Sequence, residues 1–213
     1  MSINTYGDNF SLLEADKFLM KKDPEIIPLL KLFNLEEKVV EGNYFRALVR
    51  SIIFQQLSGK VANTIFNRFL DLFPADEFPT PKTVIEMKPD QIRSAGVSNP
   101  KVKYIQNISE AFLNGSIDHE NLINLPNQEI MKQLTLIKGI GPWTVQMFLM
   151  FTLLRSDVFP TGDLGVQKGF KIYFKLQEKP GSEIMLSRAK LWKPYRTIMA
   201  MYFWKVVDNS PSR

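Results

Sequence analysis

The chain has 213 residues, no cysteine and a single histidine, His119, and its 27 lysines and arginines against 22 aspartates and glutamates give a formal net charge of +5. Without cysteine there is no disulfide, no cysteine-ligated zinc and no cysteine-held iron–sulfur cluster. One imidazole cannot build a histidine metal site or a catalytic pair. His119 lies in the polar stretch NGSIDHEN, which reads as a solvated loop or helix start rather than a reaction centre. The modest basic excess permits a nucleic-acid or acidic-membrane partner without establishing either. No apolar run reaches the roughly 20 residues that span a bilayer. The start MSINTYGDNF lacks the basic-then-apolar order of a secretory signal. The expectation is a soluble intracellular protein, and with 45% hydrophobic residues the length suits one domain or two closely joined lobes.

In chain order, residues 10–32 are predicted helical with a break at Asp23-Pro24, because proline starts helices readily and disrupts their interiors. From Tyr44 to Phe73 the pattern is strongly helical. Val61, Ile65 and Phe69 lie four apart, beside the ridge Ala62, Phe66, Leu70; Ser58-Gly59 interrupts the run. FPADEFPTPKT is a loop by its prolines. Shorter helices follow at Pro81–Glu86, Pro89–Ala95 and Lys101–Leu113. LINLPNQEIMKQLTLI reads as a turn and a helix capped by Asn127. Pro142–Leu154 is another helix, and Ser187–Val207 a further long one. Strand signals are nearly absent and no repeat of solenoid period occurs, so the fold class is all-α.

The stretch LTLIKGIGPWTVQMFLMF, residues 134–151, carries the first chemical signal. Gly139 and Gly141 allow backbone angles and close approaches that other residues resist. Pro142 suits the first turn of a helix, where its missing N–H costs little. The free amides of that helix start attract anions, phosphate above all. Read alone, the stretch is also compatible with a plain αα-hairpin ended by glycine. The whole pattern L-x-x-I-K-G-I-G-x-x-T resembles the helix-hairpin-helix DNA-binding motif, with Leu134, Ile137, Gly139, Ile140, Gly141 and Thr144 matching. The resemblance implies that Ile140 plugs the space between the two helices and that the hairpin grips the DNA backbone without reading bases. It further implies that the carbonyls of Thr135, Ile137 and Ile140 hold a monovalent cation, Na⁺ or K⁺.

Downstream, Asp163 stands in SDVFPTGDLGVQKGF before a helix start. In isolation it reads as an N-cap aspartate, favoured there by the macrodipole. Four stretches in order, IIFQQLSGKVANTI, IKGIGPWTVQMFLMF, DVFPTGDLGVQKGF and WKPYRTIMAMYFW, are similar to the HhH-GPD superfamily of DNA glycosylases. Within it they resemble the alkylation-repair branch, the 3-methyladenine DNA glycosylase II family, in a compact single-domain form. The likeness covers residues from about 45 to 205.

The resemblance makes Asp163 the catalytic carboxylate and leaves Asp157 a loop or capping role. Glycosidic hydrolysis passes through an oxocarbenium-like sugar, which one fixed carboxylate stabilises while orienting water. A base already cationic from alkylation leaves without an acid. Bifunctional relatives carry a Schiff-base lysine just after the hairpin. Trp143 stands there instead, so a monofunctional enzyme without lyase activity is expected. The implied base pocket contains Gln55, Trp143 and Trp192, since aromatic faces bind cationic bases; Trp204 is assigned to the core. The flipped nucleotide leaves a gap for a wedge from Gln56, Leu57 or Ser58. Lys138, Gly139, Gly141, Thr144, Lys101 and Lys168 are expected on the DNA backbone, with Lys60 and Arg196 nearby. Many bacterial members have Asp-Asp where this chain has Gly162-Asp163.

The expected architecture is a single domain, 1–213, in two helical lobes with the pocket between them. One lobe spans 45–155, with the helix-hairpin-helix at about 128–154; the other joins 1–44 to 156–213. The expected substrates are 3-methyladenine, then 7-methylguanine and ethenoadenine, in double-stranded DNA. No cofactor is required, no iron–sulfur cluster or membrane is involved, and a monomer is the default. Two other readings stay open: a non-catalytic helix-hairpin-helix binding module, and a glycosylase for another lesion.

Overall fold

The computed structural model describes residues 11–36, 42–73 and 78–210. The expected helix start at Phe10 and residues 74–77 of the proline loop lie outside them. Among the described residues there are twelve α-helices and no strand. They are α1 (Leu12–Lys22), α2 (Ile27–Leu32), α3 (Tyr44–Phe54), α4 (Gly59–Leu70), α5 (Pro81–Glu86), α6 (Pro89–Ser94), α7 (Asn99–Leu113), α8 (Asn127–Thr135), α9 (Pro142–Phe151), α10 (Leu164–Tyr173), α11 (Ser182–Ala189) and α12 (Arg196–Asp208).

Most boundaries follow local chemistry. Ser11 and Glu14 form a reciprocal capping box at α1. The break after α1 falls at Asp23, and Pro24 opens a 3₁₀ turn. Two expectations fail. Asn127 does not cap α8: the cap position belongs to Pro126, whose extended backbone already ends the preceding turn, and Asn127 becomes the first helical residue. The single helix expected over Ser187–Val207 is broken into α11, a 3₁₀ turn at Lys190–Trp192 and α12. Pro194 explains the break, because it has no amide to donate and disfavours helix in the residue before it.

The chain divides into two compact units, one from the described residues within 1–40 and 149–213, the other from those within 41–148. In the first, α10 packs on α12. Their approach depends on Gly169, where a Cβ would collide with the main-chain carbonyl of Phe203. Around this contact Phe159, Phe170, Phe174, Trp192 and Phe203 make an aromatic cluster. Phe159, Phe170, Trp192 and Phe203 are buried and Phe174 is half-buried; a fully buried side chain of this size contributes about 1.5–3 kcal/mol. In the second unit α3 packs against α4 and α7, and α5 against α7. Phe45, Phe66, Phe69, Phe78 and Phe112 interlock there edge-on and stacked.

Candidate functional site

Asp163 is the N-cap of α10, and its Oδ1 accepts the Val166 amide at 2.8 Å. The same oxygen accepts the indole N–H of Trp204 at 2.8 Å. Trp204 stacks on Phe151 with centroids 5.6 Å apart. Gly165 makes room for the indole: a Cβ there would lie 2.7 Å from Trp204 Cδ1 and 3.1 Å from Asp163 Oδ1. The loop leading to Asp163 is fixed as well. The buried Thr197 hydroxyl donates to the Arg155 carbonyl at 2.6 Å and accepts the Val158 amide at 3.0 Å. Gln167 Nε2 donates to the Thr161 carbonyl at 2.6 Å, and the Asp163 amide donates to the Pro160 carbonyl at 3.0 Å. Asp163 is half-buried. Its carboxylate is therefore held in one orientation by several elements of its own unit. The neighbouring Asp157 pairs with Arg196, through Oδ2 and Nη2 at 2.9 Å and a second bond from Nε. This pair takes up the Arg196 guanidinium that sequence placed near the phosphates.

The second constellation belongs to the other unit. α8 and α9 flank the turn 136–141. Leu134, Ile137 and Ile140 are buried. Gly139 has φ +110°, in the region that favours glycine, and a Cβ there would strike the Tyr104 ring. At Gly141 a Cβ would meet nothing within 4 Å, leaving the turn open above the start of α9. As at any helix start, the first-turn amides lie beyond the reach of intrahelical acceptors. Asn107 Nδ2 donates to the Lys138 carbonyl at 3.0 Å and steadies the turn, while the Lys138 side chain is exposed. The carbonyls of Thr135, Ile137 and Ile140 are neutral, hard oxygen donors. Hard oxygen donors suit hard cations, Na⁺ and K⁺ among them, and the Ile137 carbonyl also accepts the Ile140 amide at 3.0 Å. Among the described residues no group of three or more His, Asp or Glu side chains could hold a metal ion.

The third element is the turn between α3 and α4. Gln56, Leu57 and Ser58 are all exposed, and Gln56 has φ +56°. Such an angle is uncommon for a non-glycine residue.

A model of the HhH-GPD superfamily of base excision DNA repair proteins matches residues 49–194. The chain belongs to this superfamily. It is similar to DNA-3-methyladenine glycosylase 1 of Schizosaccharomyces pombe, at 35% identity over 92% of this chain and 87% of the relative. A solved structure of the S. pombe 3-methyladenine DNA glycosylase in complex with abasic DNA aligns with TM-score 0.84 and 34% identity, covering 94% of this chain and all of that one. A DNA-3-methyladenine glycosidase of Bacillus halodurans aligns with TM-score 0.82 and 32% identity, covering 92% and 89%.

Several residues of this HhH-GPD chain do not sit where sequence placed them. Trp192 is fully buried in the aromatic cluster and donates its indole N–H to Asp23 at 2.8 Å. It is a core residue, because Asp23 and the surrounding phenylalanines leave it no exposed face. Trp204, assigned to the core, is half-buried and touches Asp163 instead. Trp143 is 45% exposed at the start of α9. Gln55 turns its amide to the hairpin, donating to the Gly139 carbonyl and to Thr144 Oγ1, both at 3.3 Å. Thr144 is 3% exposed and its hydroxyl is engaged by Gln55, so its side chain serves the hairpin and not the solvent face. Lys101 is not a surface cation: its ammonium donates to the carbonyls of Ile53 and Gln55 at 2.8 and 2.7 Å, and burial pulls its pKa below the ordinary lysine value. Lys60 and Lys168 are exposed. Gly162 is exposed, and a Cβ there would meet nothing within 4 Å, so a side chain at this position has room.

Proposed function

We propose that this protein is a monofunctional DNA glycosylase that removes alkylated bases from duplex DNA, 3-methyladenine first, with 7-methylguanine and ethenoadenine as further substrates. The observation that carries this reading is the Asp163 carboxylate, fixed by two N–H donors on one oxygen in a chain 35% identical to a DNA-3-methyladenine glycosylase. In the reaction the C1′–N bond breaks, and its electron pair leaves with the base, which becomes neutral. Positive charge develops on the sugar, where the anionic Asp163 stabilises it. Water then forms the new C1′–O bond and loses its proton to the carboxylate or to solvent. No residue needs to protonate a leaving group that is already cationic.

Each remaining role rests on placement within one unit. The exposed Trp143 offers an aromatic face to a cationic base. Because a tryptophan occupies the position just after the hairpin, no lysine stands there to form a Schiff base, which supports hydrolysis without strand cleavage. The turn at Gly139–Gly141 and the exposed Lys138 approach the phosphates, with Lys168 near the N-terminal half of α10 as a further backbone cation. The carbonyls of Thr135, Ile137 and Ile140 would hold Na⁺ or K⁺, whose charge favours a nearby phosphate. Gln56, Leu57 and Ser58 supply the wedge. The protein acts where the DNA is, as a monomer.

Methylated duplex DNA incubated with wild type and with Asp163→Asn tests the reading. Wild type releases 3-methyladenine; the variant retains DNA binding and loses release. Asparagine can still cap α10, so the loss reads chemistry rather than folding. Duplex binding without release by wild type would instead identify a binding module or an enzyme for a different lesion.

A further inference from the structure

A helix end leaves its last carbonyls without intrahelical partners. At the end of α3 the Gln55 amide takes the Ile52 carbonyl at 3.3 Å, and the Leu57 amide takes that of Phe54 at 3.4 Å. The carbonyls of Ile53 and Gln55 both accept from Lys101 Nζ, at 2.8 and 2.7 Å. Lys101 comes from the first turn of α7, far away in sequence. Its cation complements the negative end of the α3 dipole. Gln55 is held a second time through its side-chain amide, on the hairpin. The next residue, Gln56, then adopts φ +56°. A non-glycine residue keeps such a conformation only where its surroundings over-determine it. In the loop before α7, Gly96 adopts φ +97°, which favours glycine, and lies beside Ile65 of α4. A cleft beside the turn is lined by Gln55, Gln56, Leu57, Gly96, Ser98 and Lys101.

We infer that Lys101 is a positioning residue for nucleotide extrusion: its ammonium locks the end of α3 so that Gln56, Leu57 and Ser58 project as a rigid wedge. The inference rests on the glycosylase reading above. It differs from the backbone role that sequence suggested for Lys101, because an ammonium shared between two main-chain carbonyls is directed at the protein. A wedge must already be shaped when the stack opens, since a loop that has to be ordered on the DNA loses part of its binding free energy to that ordering.

The test compares wild type with Lys101→Met, which keeps the aliphatic stem and removes the charge. Release of 3-methyladenine is followed in single turnover from duplex and from single-stranded methylated DNA, together with duplex affinity across a salt series. Filling a gap in the stack matters only in the duplex. The expected result is a duplex rate lower by about ten- to a hundredfold, an unchanged single-strand rate and an unchanged salt slope. Lys101→Arg, which keeps charge and donors, restores part of the duplex rate. Equal losses on both substrates would mark a general structural role and overturn the inference. So would a salt slope smaller by about one, the signature of a lost phosphate contact, or a duplex rate equal to wild type. If Lys101→Met does not fold, Lys101→Gln, which keeps an N–H donor group without the charge, reads the same ratio. Wild type that releases no base from either substrate would overturn the glycosylase reading itself and this inference with it.

Discussion

The indole N–H of Trp204 and the carboxylate Oδ1 of Asp163 meet at 2.8 Å, across 41 residues of sequence. The bond joins the aromatic end of α12 to the cap of α10, and Gly165 is what lets the ring lie so close. A hydrogen bond to a charged group contributes about 1.5–3 kcal/mol when buried. Asp163 is half-buried, so the effect falls at or below the lower end of that range. Trp204→Phe keeps the ring over Phe151 and removes only the donor. We expect single-turnover base release to fall about tenfold, which corresponds to about 1.4 kcal/mol, with duplex affinity unchanged. Rapid-quench kinetics on methylated DNA checks this. A rate equal to wild type would mean that the Trp204 donor does not orient the carboxylate for the reaction.

The two hairpin glycines have separable functions. Gly139→Ala places a methyl group into the Tyr104 ring at a backbone angle that L-residues avoid. Overpacking and strain each cost about 1–3 kcal/mol, so a loss of about 2–5 kcal/mol is expected in urea unfolding. Gly141→Ala meets no protein atom within 4 Å. Its stability should stay within about 0.5 kcal/mol of wild type, while DNA affinity should fall if the turn approaches a phosphate as proposed. A stable Gly139→Ala, or an unaltered affinity for Gly141→Ala, would undo this division.

Local chemistry was readable where it is local. The prolines and the four-residue apolar ridges place α1 to α9 within a few residues, and for α10 only its start after Asp163 is legible. The spacing of Leu134, Ile137, Gly139, Ile140, Gly141 and Thr144 disclosed the hairpin before any coordinates. Asp163 was visible because a capping residue must sit next to its helix. The environment of each tryptophan was not, because it depends on residues far away in sequence. Trp192 is buried by Asp23, 169 residues earlier, and Trp204 is drawn to Asp163 by packing of α10 on α12. The clues were Gly165 and Gly169 on α10, which mark a close helix crossing but do not name the partner. Lys101 misled for a similar reason: a lysine in a polar helix start looks solvated until the carbonyls of Ile53 and Gln55 are seen to face it.

The same distinction gives a paired test of the tryptophans. Trp143→Ala removes a ring that is 45% exposed, so the melting temperature should shift by no more than about 2–4 °C, the effect of about 1 kcal/mol in a domain of this size. Loss of a cation–π partner worth about 0.5–2 kcal/mol should lower kcat/KM for a cationic methylated base by about two- to thirtyfold. Trp192→Ala empties the aromatic cluster and should cost about 3–5 kcal/mol. Differential scanning calorimetry beside base-release assays separates the two. A Trp143→Ala enzyme of full activity would remove that residue from the base pocket.

Asp23 is the polar centre of the first unit. It is 3% exposed and accepts from Arg188 Nη2 at 2.6 Å, from Arg188 Nε at 3.0 Å and from the Trp192 indole at 2.8 Å. The paired Arg188 also reaches Glu25 at 2.6 Å. Removing one member of a buried pair costs about 3–5 kcal/mol because the other charge stays behind. Arg188 is partly exposed and keeps Glu25, so Asp23→Ala should cost about 2–4 kcal/mol in urea unfolding. Asp23→Asn retains an acceptor and should cost less. The double variant Asp23→Ala with Arg188→Met removes both charges, and it should be more stable than Asp23→Ala alone. If the double variant is instead the less stable of the two, the destabilisation comes from lost packing around Trp192 and not from an unpaired guanidinium.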